Sequence, residues 1–280
     1  MNKNQWNAFC NFRTEFKNKC QEWQKDCESL KQLQIQAAKA DTPEYPVENP
    51  VVYNTSLDDV FENDEIKLIV IGDNPGKNEQ LEKNKKYLVG MAGKIADGFF
   101  KRNPALGVDF RKNVIILNKT PVHSAKTNHL KYLVKNGGNQ IEQLILQSQI
   151  WMAEKTAQLH KALVAFAEDK NQFAKTTIVG ENYFAPELWL VGYSELKNNG
   201  IFMPYKKSFY NSYFENSVTG NFCEAWKNVK VFQHFSMNRF SIDLNEFISK
   251  SEFSSSGGKN NIFQALEDLG TLHRNEIFAM

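Results

Sequence analysis

The sequence predicts an α/β fold: a three-layer α/β/α sandwich around a central four-stranded parallel sheet, preceded by a long N-terminal helix. Three observations predict it. Short, densely aliphatic runs recur, foremost Ile66-Lys67-Leu68-Ile69-Val70-Ile71 and Asn113-Val114-Ile115-Ile116-Leu117, and runs of this kind suit strands buried on both faces of a parallel sheet. Stretches with apolar residues three and four apart separate them, as crossover helices do. Each run ends in polar or turn-forming residues: Gly72-Asp73-Asn74-Pro75-Gly76, Asn118 with Thr120-Pro121, and His234-Phe235-Ser236. Right-handed crossovers then give a parallel sheet with helices on both faces.

In chain order, residues 4–38 read as one helix, since Trp6, Phe9, Phe16, Cys20, Trp23, Cys27, Leu30 and Leu33 form one apolar stripe. That stripe suits packing across the domain; the rival reading is a dimer seam, with an oligomer through this helix. Asp41-Thr42-Pro43 stops the helix and divides the chain into an extension (residues 1–42) and an α/β domain (residues 43–280). Residues 43–64 read as an extended connection. The Lys-rich stretch 77–87 reads as a solvated loop, and Val89-Gly90-Met91-Ala92-Gly93 opens a short helix to about Arg102. Ile141, Leu144, Ile145, Met152, Leu159, Leu163 and Phe166 mark a long crossover helix over 141–168. Thr176–Gly180 and Glu187–Gly192 both suit the third strand; the second is preferred because Ser194-Glu195 can start a short helix after it. Val229-Lys230-Val231-Phe232-Gln233 is the fourth strand, Ser254–Asn261 a flexible loop, and 261–269 a final helix.

Composition narrows the function classes. With 41% hydrophobic and 12% aromatic residues the 280-residue chain can bury a real core. No stretch is apolar for the length of a membrane span, and Met1-Asn2-Lys3-Asn4-Gln5 lacks a signal peptide's apolar segment, so no membrane and a cytoplasmic location are expected. A net charge of +2 requires any phosphate-binding surface to be a local patch. Cys10, Cys20, Cys27 and Cys223 contain no CxxC pair, so no metal or iron–sulfur site is expected, and Cys20 and Cys27 read as packing residues.

In an open parallel sheet, ligands bind beyond the carboxyl ends of the strands, and three of those ends carry Asp73 and Asn74, Asn118, and His234 with Ser236. Here a resemblance becomes visible. Gly72-Asp73-Asn74-Pro75-Gly76 resembles the first motif of the uracil-DNA glycosylase superfamily, which the mismatch-specific and single-strand-selective branches write Gly-x-Asn-Pro-Gly. Leu88-Val89-Gly90-Met91-Ala92-Gly93 is similar to the Phe-Val-Gly-x-Ala-Gly of the iron–sulfur branch. Val114-Ile115-Ile116-Leu117-Asn118 resembles the strand whose terminal Asn reads uracil, and His234-Phe235-Ser236 stands where the superfamily has His-Pro-Ser. The matches keep the family's order across residues 66–241.

The resemblance implies a monofunctional glycosylase of base excision repair, acting on DNA that carries uracil or another deaminated base, with no cofactor and no lysine Schiff base. Asn74 would hold the attacking water, with Asp73 the alternative because the iron–sulfur branch carries its acid there. Asn118 would match O4 and N3–H of uracil, and His234 would donate to O2 as charge builds on the leaving base. Gly72, Pro75, Gly76 and Ser236 complete the pocket. Leu88 stands where the iron–sulfur branch stacks its Phe on the base, leaving Tyr87 next door as the stacking alternative. A base inside a duplex must be flipped out; Met237, Asn238 and Arg239 occupy the loop the family pushes into the minor groove, and Lys77, Lys119 and Lys126 are candidates for phosphate contacts. Each residue also has a structural alternative: Asn74, Asn118 and Ser236 suit turn caps, His234 a hydrogen-bonded strand end, and Met237–Arg239 a surface turn. His123 and His129 match no motif and read as surface residues. The rival functions are a catalytically inactive superfamily member that binds nucleic acid or a modified base, and a hydrolase of free nucleosides or nucleotides.

Overall fold

The computed structural model describes residues 1–25, 29–167, 185–197, 199–216, 221–250 and 262–279. At its centre four parallel strands are ordered β2–β1–β3–β6. These are β1 (Leu68–Gly72), β2 (Val114–Asn118), β3 (Glu187–Val191) and β6 (Val229–Phe232); the hairpin strands β4 (Phe214–Asn216) and β5 (Asn221–Phe222) form a separate antiparallel pair. Every residue of β1, β2 and β6 is buried, the condition that selects the unbroken aliphatic runs of β1 and β2, while β6 buries Lys230 among its apolar residues. Gly72 pairs with Asn118, Ile71 with Leu190 and Val191 with Phe232, so the four carboxyl ends lie side by side. The chain is thus a mixed α/β protein with a four-stranded parallel sheet and a long N-terminal helix. Among the described residues no helix is long and apolar enough to cross a membrane.

The single N-terminal helix expected over 4–38 is instead two helices, α1 (Lys3–Lys25) and α2 (Leu30–Ala38). They serve different partners. Phe12, Phe16 and Trp23 of α1 pack on Trp151 of α5 (Gly138–Ala165) with ring centroids 5.8–6.4 Å apart, whereas α2 rests on α4 (His129–Asn136). The apolar stripe of α1 is therefore buried within the chain, with Phe9, Phe12, Phe16, Cys20 and Trp23 all in the core. Cys27, the alternative strand Thr176–Gly180 and the loop Ser254–Asn261 lie outside the described residues.

After β1 the chain passes through a structured turn region to α3 (Met91–Arg102), and after β3 a 3-10 turn (Tyr193–Leu196) leads to α6 (Met203–Asn211). The 3-10 turn Ser236–Asn238 follows β6 and runs into α7 (Arg239–Lys250). The final helix, α8 (Ile262–Phe278), extends nine residues beyond the expected end at 269. Gly270 hides this continuation in the sequence. A Cβ there would sit 2.7 Å from Lys230 Cβ and Phe232 Cζ of β6, so close helix-on-strand packing requires the glycine while the helix continues.

Candidate functional site

The site is the shared carboxyl edge of β2, β1, β3 and β6. Adjacent strands lie about 4.8 Å apart, so Asn118, Asp73, Gly192 and the residues after Phe232 fall within about three strand spacings, roughly 14 Å.

Asp73 is buried against Lys119, whose ammonium lies 2.5 Å from Asp73 Oδ1 and also donates to the Val191 carbonyl at 2.6 Å. Lys119 is 0% exposed and lies 5.0 Å from the centre of the Phe202 ring. Burial pulls its ammonium below the ordinary value, and Asp73 pulls it back. Lys119 is thus no candidate for a DNA phosphate, which would have to reach its side chain through the protein. The pair has room because Gly192 has no side chain: with φ +95, its Cβ would stand 2.4 Å from Asp73 Oδ1. The second Asp73 oxygen makes no hydrogen bond to a described residue.

Asn74 is half-buried. Its Nδ2 donates to Ser124 Oγ (2.9 Å) and to the carbonyls of Ser124 and Pro75 (both 3.2 Å), an anchor that fixes the amide and leaves Oδ1 unused by described residues. Pro75 is buried, and its carbonyl also accepts from His123 Nδ1 at 2.8 Å and from the Ser124 N–H at 3.2 Å. A carbonyl only accepts, so His123 Nδ1 carries the proton and Nε2, 2.9 Å from Tyr45 Oη, receives the tyrosine hydroxyl. Burial pushes the His123 pKa down to about 4. The expectation that His123 and His129 lie at the surface is corrected: both are buried, the first locking the Pro75 turn, the second 2.8 Å from Asp41 Oδ1. Lys126 pairs with the same Asp41 at 3.0 Å. Lys77 is exposed, its ammonium 5.8 Å from the Tyr45 ring centre.

Asn118, 2% exposed, leans over Gly72, whose Cβ would stand 2.4 Å from Asn118 Oδ1. Its Nδ2 is buried and has no hydrogen-bond partner among the described residues. An orphaned buried donor costs about 1–3 kcal/mol.

At the far strand the Ser236 N–H donates to His234 Nδ1 at 3.1 Å, with Ser236 Oγ 2.7 Å from the same nitrogen. Nδ1 therefore holds a lone pair and Nε2 the proton. Burial and the Lys119 charge lower the His234 pKa, while Asp73 opposes them; the ring is neutral at pH 7, with Nε2–H as its donor. Phe235 is buried, 4.9 Å from Phe240 and 6.3 Å from Phe110 between ring centres, and anchors the turn. Beyond it Met237 (φ 51) and Asn238 (φ 56) adopt left-handed conformations. Such backbone is uncommon for a side chain like methionine, and it holds Met237 77% exposed. Asn238 and Arg239 are exposed beside it.

The Leu88 region is closed. Tyr87 is 0% exposed and its hydroxyl donates to the Val52 carbonyl at 2.5 Å, so neither ring face is free to stack on a base in this arrangement. Leu88 is buried at φ 50, its carbonyl accepting from Arg111 Nη2 at 2.7 Å. The Gly76 N–H donates to Glu79 Oε2 at 3.0 Å.

The structure thus brings Gly72, Asp73, Asn74, Asn118, His234 and Ser236 to one edge, and it sets Tyr87 and Leu88 in the core. Sequence reasoning missed Lys119 as Asp73's partner, Ser124 as Asn74's anchor, Gly192 and Glu79. Only Gly192 carried a signal, as a glycine at a strand end; the Lys beside Asn118 read as a candidate phosphate contact, and an acid within a Lys-rich run as part of a solvated loop. Among the described residues no cluster of three His, Cys, Asp or Glu side chains is arranged to hold a metal ion. Chemically the edge offers a carboxylate oxygen, an amide oxygen, an amide donor and a neutral imidazole donor. Compared with protein-family models, curated proteins and solved structures, the chain matches none.

Proposed function

We propose that the chain is a monofunctional DNA glycosylase of the uracil-DNA glycosylase superfamily, hydrolysing the N-glycosidic bond of uracil or a related deaminated base in DNA. The observation that carries this reading is the convergence of Asn74 Oδ1, Asp73, Asn118 and the neutral His234 on one sheet edge. We read the fold as the three-layer sandwich of that family; the burial of β1, β2 and β6 along their whole length supports helical cover on both faces.

In this reading the C1′–N1 bond breaks with its electron pair leaving on the base, and a water oxygen bonds to C1′. Asn74 Oδ1, held rigid by its amide's bonds to Ser124, orients that water, and Asp73 stabilises the positive charge on the sugar and takes the water's proton. His234 Nε2–H donates to O2 of the departing base, a neutral donor matched to charge that develops in the transition state. Met237 fills the gap left in the stack. The burial of Tyr87 and Leu88, which leaves no aromatic floor at the family's stacking position, favours a second reading as a non-cleaving binder of the same base.

The test is excision from labelled oligonucleotides carrying one uracil, hypoxanthine or xanthine, single-stranded and paired, followed by alkaline cleavage. Cleavage by the wild type that is lost in Asn74→Ala and His234→Ala supports the proposal and names the base. Binding without cleavage supports the second reading, and absence of both refutes the DNA function.

A further inference from the structure

Within a Lys-rich stretch, Glu79 is 8% exposed and turned inward. Its carboxylate accepts the Gly76 N–H at 3.0 Å, and the backbone N–H groups of Leu88 and Val89 act on it as well. One carboxylate thus bonds the Asp73–Gly76 turn at the end of β1 and lies near enough to the Leu88–Gly93 turn, which starts α3, for that turn's N–H groups to act on it. The second turn is held from its other side too. Arg111 Nη2 donates to the Leu88 carbonyl at 2.7 Å, and a Cβ on Gly93 would stand 1.5 Å from that same oxygen. Leu88 itself sits at φ 50, a conformation strained for a non-glycine residue that persists where surrounding bonds over-determine it.

We propose that Glu79 is a positioning residue that clasps the Asp73–Gly76 turn to the Leu88–Gly93 turn and thereby sets where Asp73 and Asn74 stand at the sheet edge. Its effect on excision rests on the glycosylase reading; the clasp itself does not. Glu79 touches no substrate in this role. It acts through the Gly76 peptide, two residues from Asn74.

Burial pushes the Glu79 carboxyl up to about 7, against the pull of the N–H groups of Gly76, Leu88 and Val89 and the charge of Arg111. The other ionisable group acting with it is the Tyr87 hydroxyl, which burial keeps neutral, while Asp97 and Asp109 face Arg111. The clasp is therefore strongest when Glu79 is ionised, and it slackens as the carboxyl takes a proton through neutral pH.

The experiment compares wild type, Glu79→Gln and Glu79→Asp by excision rate from pH 5.5 to 8.5, thermal unfolding, and amide hydrogen exchange at Gly76, Leu88 and Val89. The near-isosteric Gln variant is expected to unfold cooperatively, to lose about tenfold to a hundredfold in excision rate at pH 8, and to lose the wild type's rise in rate through pH 7. Its three amides are expected to exchange faster. The Asp variant, shorter but ionisable, is expected to keep a rise in rate with pH at a reduced level. Wild-type rates and pH profile in Glu79→Gln, a flat profile in Glu79→Asp, or unchanged exchange at the three amides overturns the proposal. If the wild type excises no base, the glycosylase reading fails, and the exchange of the three amides alone decides the clasp.

Discussion

Replacing Lys119 with Met tests the buried ion pair at the centre of the site. The methionine keeps the length and apolar body of the stem and removes the ammonium. It leaves the Asp73 carboxylate, 9% exposed against a side chain that is 0% exposed, without a cation, and the Val191 carbonyl without a donor. Breaking a buried pair from one side costs about 3–5 kcal/mol. Unfolding entropy of about 2.1 cal/mol/K per residue over 280 residues is about 0.6 kcal/mol/K, so the expected fall in Tm is about 5–8 °C. Removing both charges in Lys119→Met/Asp73→Asn is expected to restore most of it, because a neutral pair leaves no stranded charge. Thermal unfolding of wild type, both single variants and the double variant at pH 7 reads this coupling directly. The His234 pKa, followed by NMR, is expected to rise in Lys119→Met, since the Lys119 charge is one of the causes that lower it. A Tm for Lys119→Met within about 1 °C of wild type, or a double variant no better than the worse single one, refutes the reasoning behind these figures.

Three further outcomes are expected. Gly192→Ala places a Cβ 2.4 Å from Asp73 Oδ1 at φ +95 and loses about 2 kcal/mol or more in urea unfolding, whereas Gly76→Ala meets no atom within 4 Å and loses far less; equal losses contradict the close packing. Met237→Ala leaves stability within about 0.5 kcal/mol because the side chain is exposed, and it slows excision from duplex more than from single-stranded DNA; equal slowing on both substrates removes the wedge role. His123 and His160 are each held down to about 4 by burial. Their folded values lie below the unfolded value of 6.5, so their contribution, about 3 kcal/mol each, is complete above pH 6.5 and is lost as the pH falls toward 4. Glu79, raised to about 7, works in the opposite sense, adding stability as the pH falls from 7 to 4.5. Glu79→Gln therefore melts with a steeper dependence on pH between 4.5 and 6.5 than wild type, and an unchanged slope would show that Glu79 is not protonated in that window.

Much of the fold is legible in the sequence because burial on both faces leaves no room for polar alternation. Leu68–Gly72 and Val114–Asn118 are therefore aliphatic runs that announce strands, whereas Glu187–Val191 and Val229–Phe232 include Glu187 and Lys230 and read less plainly. The polar residues at their ends mark the edge for the same reason, since chemistry-bearing side chains at a strand's carboxyl end interrupt an otherwise apolar run. Helix limits are less legible. α8 runs through Gly270 because close approach to β6 demands a glycine inside a helix, and the apolar stripe that joins α1 to α2 in sequence is divided between α5 and α4 in space.

The sequence by itself determined the strands, their parallel crossovers, and that Asp73, Asn74, Asn118 and His234 meet at one edge, because period and placement of apolar residues dictate which surfaces must be covered. Tertiary structure alone decided what those side chains do there. Lys119 became Asp73's buried partner, Asn74's amide was tied to Ser124, His234 was set in its Nε2–H form by the Ser236 N–H, and Tyr87 was withdrawn to Val52. The physical reason is distance along the chain. Asp73 and Lys119 are 46 residues apart, and Asn74 and Ser124 are 50 apart; no local pattern records which distant polar groups a low-dielectric interior will force together.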